Sequence, residues 1–288
     1  MLPNKTNQLN SLSVNELLSN PLFQSGVAPS VVSLLLGLIF YRLAGFWAGI
    51  AVVAGFYATA WLVTDLKFFP LTSTRKILLL GLAALGVGLV FDLYRSTPRW
   101  LTYLFFTAGF AAAVWLVWPV FMRNKEEWDA WMMAGLSGAY VGWLLVSFVG
   151  LRDKGERATT GLLALAGGTG ISALLAASAL LGQLASAIAA AMAAYLLAGL
   201  FSSRLNAGGL LVVPVALLCG MLGVAAQVYA KLPWYVLLIL AAIPLVAHVP
   251  LPEDRPSWLK VVLLLLCLAP VAGGAIYVTW SQAGDPLF

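Results

Sequence analysis

Residues 158–201 form an uninterrupted stretch that contains no charged residue and no histidine. A single helix of that length would be about twice as long as the roughly 30 Å hydrocarbon core of a bilayer is thick. The stretch therefore predicts two membrane-spanning helices joined back to back, with a turn near Ser178–Gly182. The whole chain agrees with this, because 62% of it is hydrophobic and only 9% is charged, whereas soluble domains are typically about 25% charged.

Small residues recur at every fourth position in both halves of this hairpin. They are Ala164, Gly168, Ser172 and Ala176 in one half, and Gly182, Ser186, Ala190, Ala194 and Ala198 in the other. Lipid gives helices no hydrophobic reason to associate, so small faces that let backbones approach are a common means of packing. We predict that the hairpin lies in the middle of the bundle. The alternative is that alanine and glycine are simply frequent in membrane helices.

The other apolar runs are also continuous rather than alternating in polarity, which favours helices over the strands of a membrane barrel. The sequence therefore predicts an all-α polytopic membrane protein with about ten transmembrane helices. The predicted spans are 28–43, 46–64, 77–94, 100–122, 128–150, 163–178, 181–199, 208–229, 233–249 and 258–280.

The charged loop at residues 152–157 divides the chain into a first half, 28–151, and a second half, 152–288. Residues 1–27 form either a tail or a short interfacial helix, since Ser13 and Glu16 have the spacing of a capping box. They lack the basic and apolar regions of a signal peptide, which predicts that no leader is cleaved.

A short stretch of the first half is similar to one of the second half when residue 88 is aligned with residue 223. Three identities result: Gly88 with Gly223, Tyr94 with Tyr229, and Pro98 with Pro233. The same alignment places the five early spans on the five late ones, which predicts two five-helix repeats. Because each repeat has an odd number of crossings, the two would be inverted relative to each other. This five-plus-five plan resembles the drug/metabolite transporter superfamily, in span count only, and no functional residue is carried over from that resemblance.

Asp92 is the one carboxylate that could lie within the membrane, near the end of the third span. One interpretation is a headgroup-level carboxylate paired with Arg95 or Arg99. The other is a polar substrate site between the two halves, in which Asp92 and its repeat counterpart Gln227 take part.

Two further polar residues inside spans are candidate substrate-binding residues. Thr169 has glycines on both sides, and this composition could allow a broken helix whose backbone groups meet a substrate. Gln183 could line the same cavity. The ordinary alternative is that such side chains cross-link helices by hydrogen bonds.

Nothing in the sequence has the pattern of a catalytic site, a metal site or a cofactor site, so we predict a protein that is not an enzyme. His248 is the only histidine and has no carboxylate partner at helical spacing. Cys219 and Cys267 lie in apolar runs, where buried thiols are expected. The net charge of +5 is spread over the loops and does not indicate nucleic-acid binding.

Two functions fit these observations. The first is a carrier that moves a small neutral or lipophilic solute by alternating access between the two halves. The second is a non-catalytic accessory subunit whose bulky faces contact lipid and other membrane subunits. An enzyme acting on lipid is a weaker third possibility, because no acid, base or nucleophile is grouped. In each case we expect a multi-pass protein of the bacterial inner (cytoplasmic) membrane, surrounded by lipid, with an orientation that the lysine and arginine counts leave open.

Overall fold

A computed structural model describes residues 14–43, 45–64, 66, 69–93, 99–124, 126–202, 205–250 and 254–283. Throughout these residues the regular structure is helical. The helices are α1 (Val14–Ser19), α2 (Ala28–Leu43), α3 (Ile50–Thr64), α4 (Ser73–Leu93), α5 (Arg99–Asn124), α6 (Glu127–Val149), α7 (Gly155–Leu175), α8 (Ala179–Phe201), α9 (Gly208–Tyr229), α10 (Trp234–Ala241), α11 (Ile243–Ala247) and α12 (Ser257–Ala283). Ser13 of the predicted capping box lies outside the described residues.

Nine helical segments in the described part of the chain are long and apolar enough to cross a membrane. This confirms the predicted all-α polytopic fold of about ten helices. The first span begins at Phe23, earlier than predicted, because a π-helical turn at Phe23–Val27 leads directly into α2. The second begins at Trp47, because the 3-10 turn at Gly45–Gly49 leads into α3.

The ninth crossing, between α9 and α12, is short and broken. Near the end of α9, the Tyr229 hydroxyl lies 2.5 Å from Ser73 Oγ at the start of α4, on what we term the first face, where the first span begins. At the start of α12, Ser257 Oγ donates to Glu156 Oε1 (2.9 Å) at the start of α7, on the opposite or second face. The chain between them must therefore cross the membrane through α10 and α11. These helices have only eight and five residues, or about 20 Å of helix.

Helix α9 is the centre of the bundle, because every residue of its most apolar 18-residue segment is buried. The prediction that the hairpin of α7 and α8 is central is thus only partly right. The two helices do approach closely, since a Cβ at Gly170 would lie 2.8 Å from the Ser186 backbone nitrogen. The most apolar 18-residue segments of α7 and α8 are 67% and 61% buried, so each helix also has a side that does not contact protein.

The hairpin turn differs in place from its prediction. Helix α7 ends at Leu175 and α8 begins at Ala179, with Ser178 as the N-cap whose hydroxyl accepts from Leu181 N–H. Ser178 supplies an oxygen to the free amides at the helix start, so it begins the helix rather than the turn.

The helix break that the glycines around Thr169 could have allowed is absent, because α7 runs continuously from Gly155 to Leu175. Glycine weakens a helix by about 1 kcal/mol but removes no hydrogen-bonding group. The interruption lies instead at Ala242, between α10 and α11. Pro244 follows it and has no N–H to continue the pattern of helical hydrogen bonds.

Helix α12 lies at the periphery of the bundle, because only 22% of its most apolar 18-residue segment is buried, close to the 17% of the first span, Phe23–Leu43. Cys267 on this helix is exposed, so the prediction that both cysteines are buried holds only for Cys219. Cys267 was misplaced because an apolar run contacts lipid as readily as protein.

The inverted duplication stays a prediction. Tyr94 and Pro98 lie outside the described residues. Helix α7 packs extensively along α12. The repeat alignment places α2 on α7 and α6 on α12, so α2 would have to pack along α6 in the same way. Among the described residues, α2 makes no such contact with α6.

Candidate functional site

A cavity of about 470 Å³ lies between α6, α9 and α10, in the half of the membrane nearer the first face. We term it the lateral cavity. It is lined by Met133, Leu136, Ser137, Ala139, Tyr140, Trp143, Gln227, Trp234, Leu237, Leu238 and Ala241. Its volume is within the range of small-molecule sites in proteins. Leu136, Trp234 and Leu238 are each about 60% exposed, so its rim opens sideways toward lipid.

The broken crossing creates one wall of this cavity. Where α10 ends, the Ala241 carbonyl has lost its helical partner and accepts a hydrogen bond from Trp143 Nε1 (3.0 Å). Backbone groups in lipid must find such partners. The opposite wall is α9, where Gly223 lets α10 approach closely, because a Cβ there would lie 3.1 Å from Leu237 Cδ2.

Two polar side chains of the cavity lining make no hydrogen bond within the described residues. The Tyr140 hydroxyl is buried and has no hydrogen-bond partner among the described residues. The Gln227 amide lies one helical turn beyond Gly223, on the same side of α9. The Ser137 hydroxyl already donates to the Met133 carbonyl (2.8 Å). No lining residue carries a charge, so the cavity suits a neutral, mainly apolar molecule with a hydroxyl or carbonyl group.

Asp92 lies at the opposite end of α9 from Gln227. Its carboxylate, which is half-buried, accepts hydrogen bonds from the backbone N–H groups of Gly209 (2.5 Å) and Leu210 (2.9 Å). It therefore caps the start of α9, where free amides and the helix dipole favour an anion. Arg95 and the side chain of Arg99, the partners predicted for Asp92, lie outside the described residues.

The backbone near Asp92 is shaped for this contact. Gly208 has φ +31°, a conformation that disfavours a side chain, and a Cβ there would lie 3.0 Å from Asp92 Oδ2. The Tyr195 hydroxyl donates to the Asn206 carbonyl (2.5 Å) just before α9. The Arg152 guanidinium lies 4.4 Å from the centre of the Phe91 ring, beside Asp92. These contacts hold the second-face end of α9.

The structure does not bring the four predicted site residues together. Gln227 lies in the lateral cavity, and Asp92 lies about 25 Å from it along α9 at 1.5 Å per residue. Thr169 is fully buried on α7, and its hydroxyl has no partner among the described residues. Gln183 is half-buried near the start of α8. Neither Thr169 nor Gln183 lines the lateral cavity.

Sequence reasoning missed the α10 wall and Trp143. The available signal was Pro244 in the short ninth span, because a proline inside a span frees carbonyl groups that need other donors. In the described part of the chain, no three histidine, cysteine, aspartate or glutamate side chains are grouped as metal ligands would be.

No protein-family model matches the chain, and no curated protein is significantly similar to it.

Proposed function

We propose that the protein is a membrane carrier for a small neutral or lipophilic solute, which it binds in the lateral cavity. The observation that supports this is an uncharged cavity open toward lipid, lined by α6 from the first half and by α9 and α10 from the second. The solute would reach it from the lipid leaflet at the first face. The Tyr140 hydroxyl and the Gln227 amide would orient its polar group.

Alternating access would change the cavity by moving α6 and α10 relative to α9. Helix α9 is held firmly against α4, since a Cβ at Gly88 would collide with the Gly209 carbonyl oxygen and one at Gly81 would lie 2.8 Å from a Leu218 methyl. The α10 side is weaker, because that crossing is short and interrupted at Ala242. We therefore propose that the two halves separate at this side.

The proposal is tested by filling the cavity. Ala139→Phe adds a ring to the cavity wall, and Ala83→Phe adds the same ring to an exposed position on α4. After gentle purification, mass spectrometry should find about one neutral lipophilic molecule bound to the wild-type chain and to Ala83→Phe, and much less on Ala139→Phe. Flux of that molecule into vesicles should likewise be much lower with Ala139→Phe than with the wild type or Ala83→Phe. Equal retention and flux by both variants would contradict the proposal.

A non-catalytic subunit of a larger assembly is the second candidate. It is favoured by the packed interior around α9 and by the lack of an ionisable side chain of the kind used for ion coupling among the lining residues of the cavity. Native mass spectrometry separates the two functions, since a stoichiometric partner chain supports the subunit and a chain that transports alone supports the carrier. Neither role includes a chemical step.

A further inference from the structure

A second site lies beside Pro119, inside α5. Proline has no N–H, so the Trp115 carbonyl four residues earlier loses its helical hydrogen bond. The Lys76 ammonium of α4 takes its place and donates to that carbonyl (3.0 Å). It also lies 4.8 Å from the centre of the Trp115 ring. Lysine has three N–H donors, so two remain after this bond.

A cationic pocket of about 510 Å³ opens beside Lys76 at the first face. It is lined by Leu71, Thr72, Ser73, Lys76, Leu116, Pro119, Val120, Arg123 and Tyr229. The lining includes two cations and three hydroxyl groups but no carboxylate. Arg123 is exposed and makes no hydrogen bond or ion pair within the described residues. The pocket also lies at the start of the 21-residue helix α4, whose dipole favours an anion there.

An apolar groove of about 530 Å³ adjoins this pocket and extends deeper into the membrane. Its lining residues are Lys76, Phe110, Ala111, Val114, Trp115, Trp118, Pro119 and Trp131. The pocket and the groove share Lys76 and Pro119. From Pro119 to Phe110 the groove follows α5 for about 13 Å, which is deep enough for much of an acyl chain in one leaflet.

We propose that an anionic phospholipid occupies this site, with its phosphate between Lys76 and Arg123 and an acyl chain in the groove. Two cations without a carboxylate complement a headgroup of net negative charge. A zwitterionic lipid offers the same phosphate but adds a cationic group that this lining repels. Free phosphate would leave the groove unfilled. The site is separate from the lateral cavity and does not depend on the carrier function.

The test measures lipid binding to the full chain in detergent by native mass spectrometry. The probes are dioleoylphosphatidylglycerol, dioleoylphosphatidylcholine and inorganic phosphate. A basic residue near a membrane surface contributes roughly a fivefold gain in affinity for anionic lipid, so Arg123→Gln should weaken phosphatidylglycerol binding about fivefold, and Lys76→Gln with Arg123→Gln about twenty-fivefold. Lys231→Gln, an exposed lysine at the same face outside the pocket, is the matched control.

Three further variants keep the test independent of folding. Lys76→Arg retains the charge and a donor to Trp115, so it should bind the lipid like the wild type. Ala111→Trp fills the groove and should weaken binding of the lipid, whereas Ala83→Trp on an exposed position of α4 should not. Equal binding of both lipids with no loss in the double variant would overturn the proposal. Inorganic phosphate that binds as tightly as phosphatidylglycerol would overturn it too, by indicating a free-anion site.

Discussion

Helices α9 and α12 have almost the same mean hydropathy, yet α9 lies at the centre of the bundle and α12 at its periphery. Their most apolar windows average 2.4 and 2.5, yet the first is 100% buried and the second 22% buried. Each also contains an internal proline and one cysteine. Hydropathy therefore places a segment in the membrane but does not say whether it contacts protein or lipid.

The difference lies in what the glycines meet. A Cβ at Gly209 of α9 would lie 2.7 Å from the Gly88 carbonyl oxygen, whereas Gly273 and Gly274 of α12 have open space around them. Close backbone approach is what draws apolar helices together in lipid. The partners of a helix, more than its own composition, decide whether it becomes the centre of the bundle.

The largest expected effect comes from placing the same side chain at the two kinds of glycine. Gly209→Leu should lower the free energy of unfolding by about 3 kcal/mol, because the α4 backbone cannot move aside. Gly273→Leu should stay within about 1 kcal/mol of the wild type. Denaturant unfolding in detergent, followed by circular dichroism, measures both. Similar losses in the two variants would contradict the proposed distinction between α9 and α12.

Removal of the Asp92 cap tests how the second-face end of α9 is held. Asp92→Ala should cost about 2 kcal/mol of unfolding free energy, because two backbone amides lose their acceptor and the helix start loses its anion. Asp92→Asn should cost about half as much, since one acceptor remains. Asp153→Asn is the control, because the Asp153 side chain is 84% exposed and an exposed ion pair contributes about 0.5 kcal/mol or less. An Asp92→Ala variant with the unfolding free energy of the wild type would exclude the capping role.

The two cysteines report burial directly. Cys267 is exposed on α12 and Cys219 is buried in α9. A lipid-soluble maleimide should label Cys267 at least about tenfold faster than Cys219 in the folded protein, a rate ratio equivalent to about 1.4 kcal/mol. Mass spectrometry of the labelled peptides gives the two rates. In a denaturing detergent the rates should become similar, and a persistent difference there would have another cause than burial.

The smallest effect is expected at the broken crossing. Trp143→Phe keeps the aromatic ring but removes the hydrogen bond to Ala241, which should cost about 0.6 kcal/mol. It should also speed hydrogen exchange at the amides of α11. Trp61→Phe, at a tryptophan that is 62% exposed, is the control. Unchanged exchange in Trp143→Phe would show that this bond does not secure the break.

Much of the fold was predictable because the apolar runs are long and the loops between them carry the charges. The tight packing of α7 against α8 was predicted only in part. Ser186 of the small-residue series on α8 does meet α7, but its neighbour there is Gly170, which is not in the α7 series, and Gly168 of that series faces Leu240 and Ala272 instead. The central place of α9 was not predictable, because α9 is apolar on every side and therefore gives no periodic signal. Sequence alone could not show that Asp92 meets the start of α9 either, because that contact joins residues more than a hundred positions apart in the chain.

The candidate site was less predictable than the fold. Gln227 was identified because it is a polar residue within a span. The remaining lining of the lateral cavity is mainly apolar and looks like any lipid-facing surface. Its concave shape arises from the interrupted crossing, and a shape that depends on three helices cannot be derived from the periodicity of one.

The shortness of α10 and α11 has a consequence for the surrounding bilayer. About 20 Å of helix cannot match a hydrocarbon layer of about 30 Å, so lipids along this edge must thin, or tilt their chains, to cover it. Such hydrophobic mismatch costs a fraction of a kcal/mol per ångström. Short-chain lipids should therefore gather at this edge of the protein, and bilayers made of them should accommodate it with the least elastic distortion.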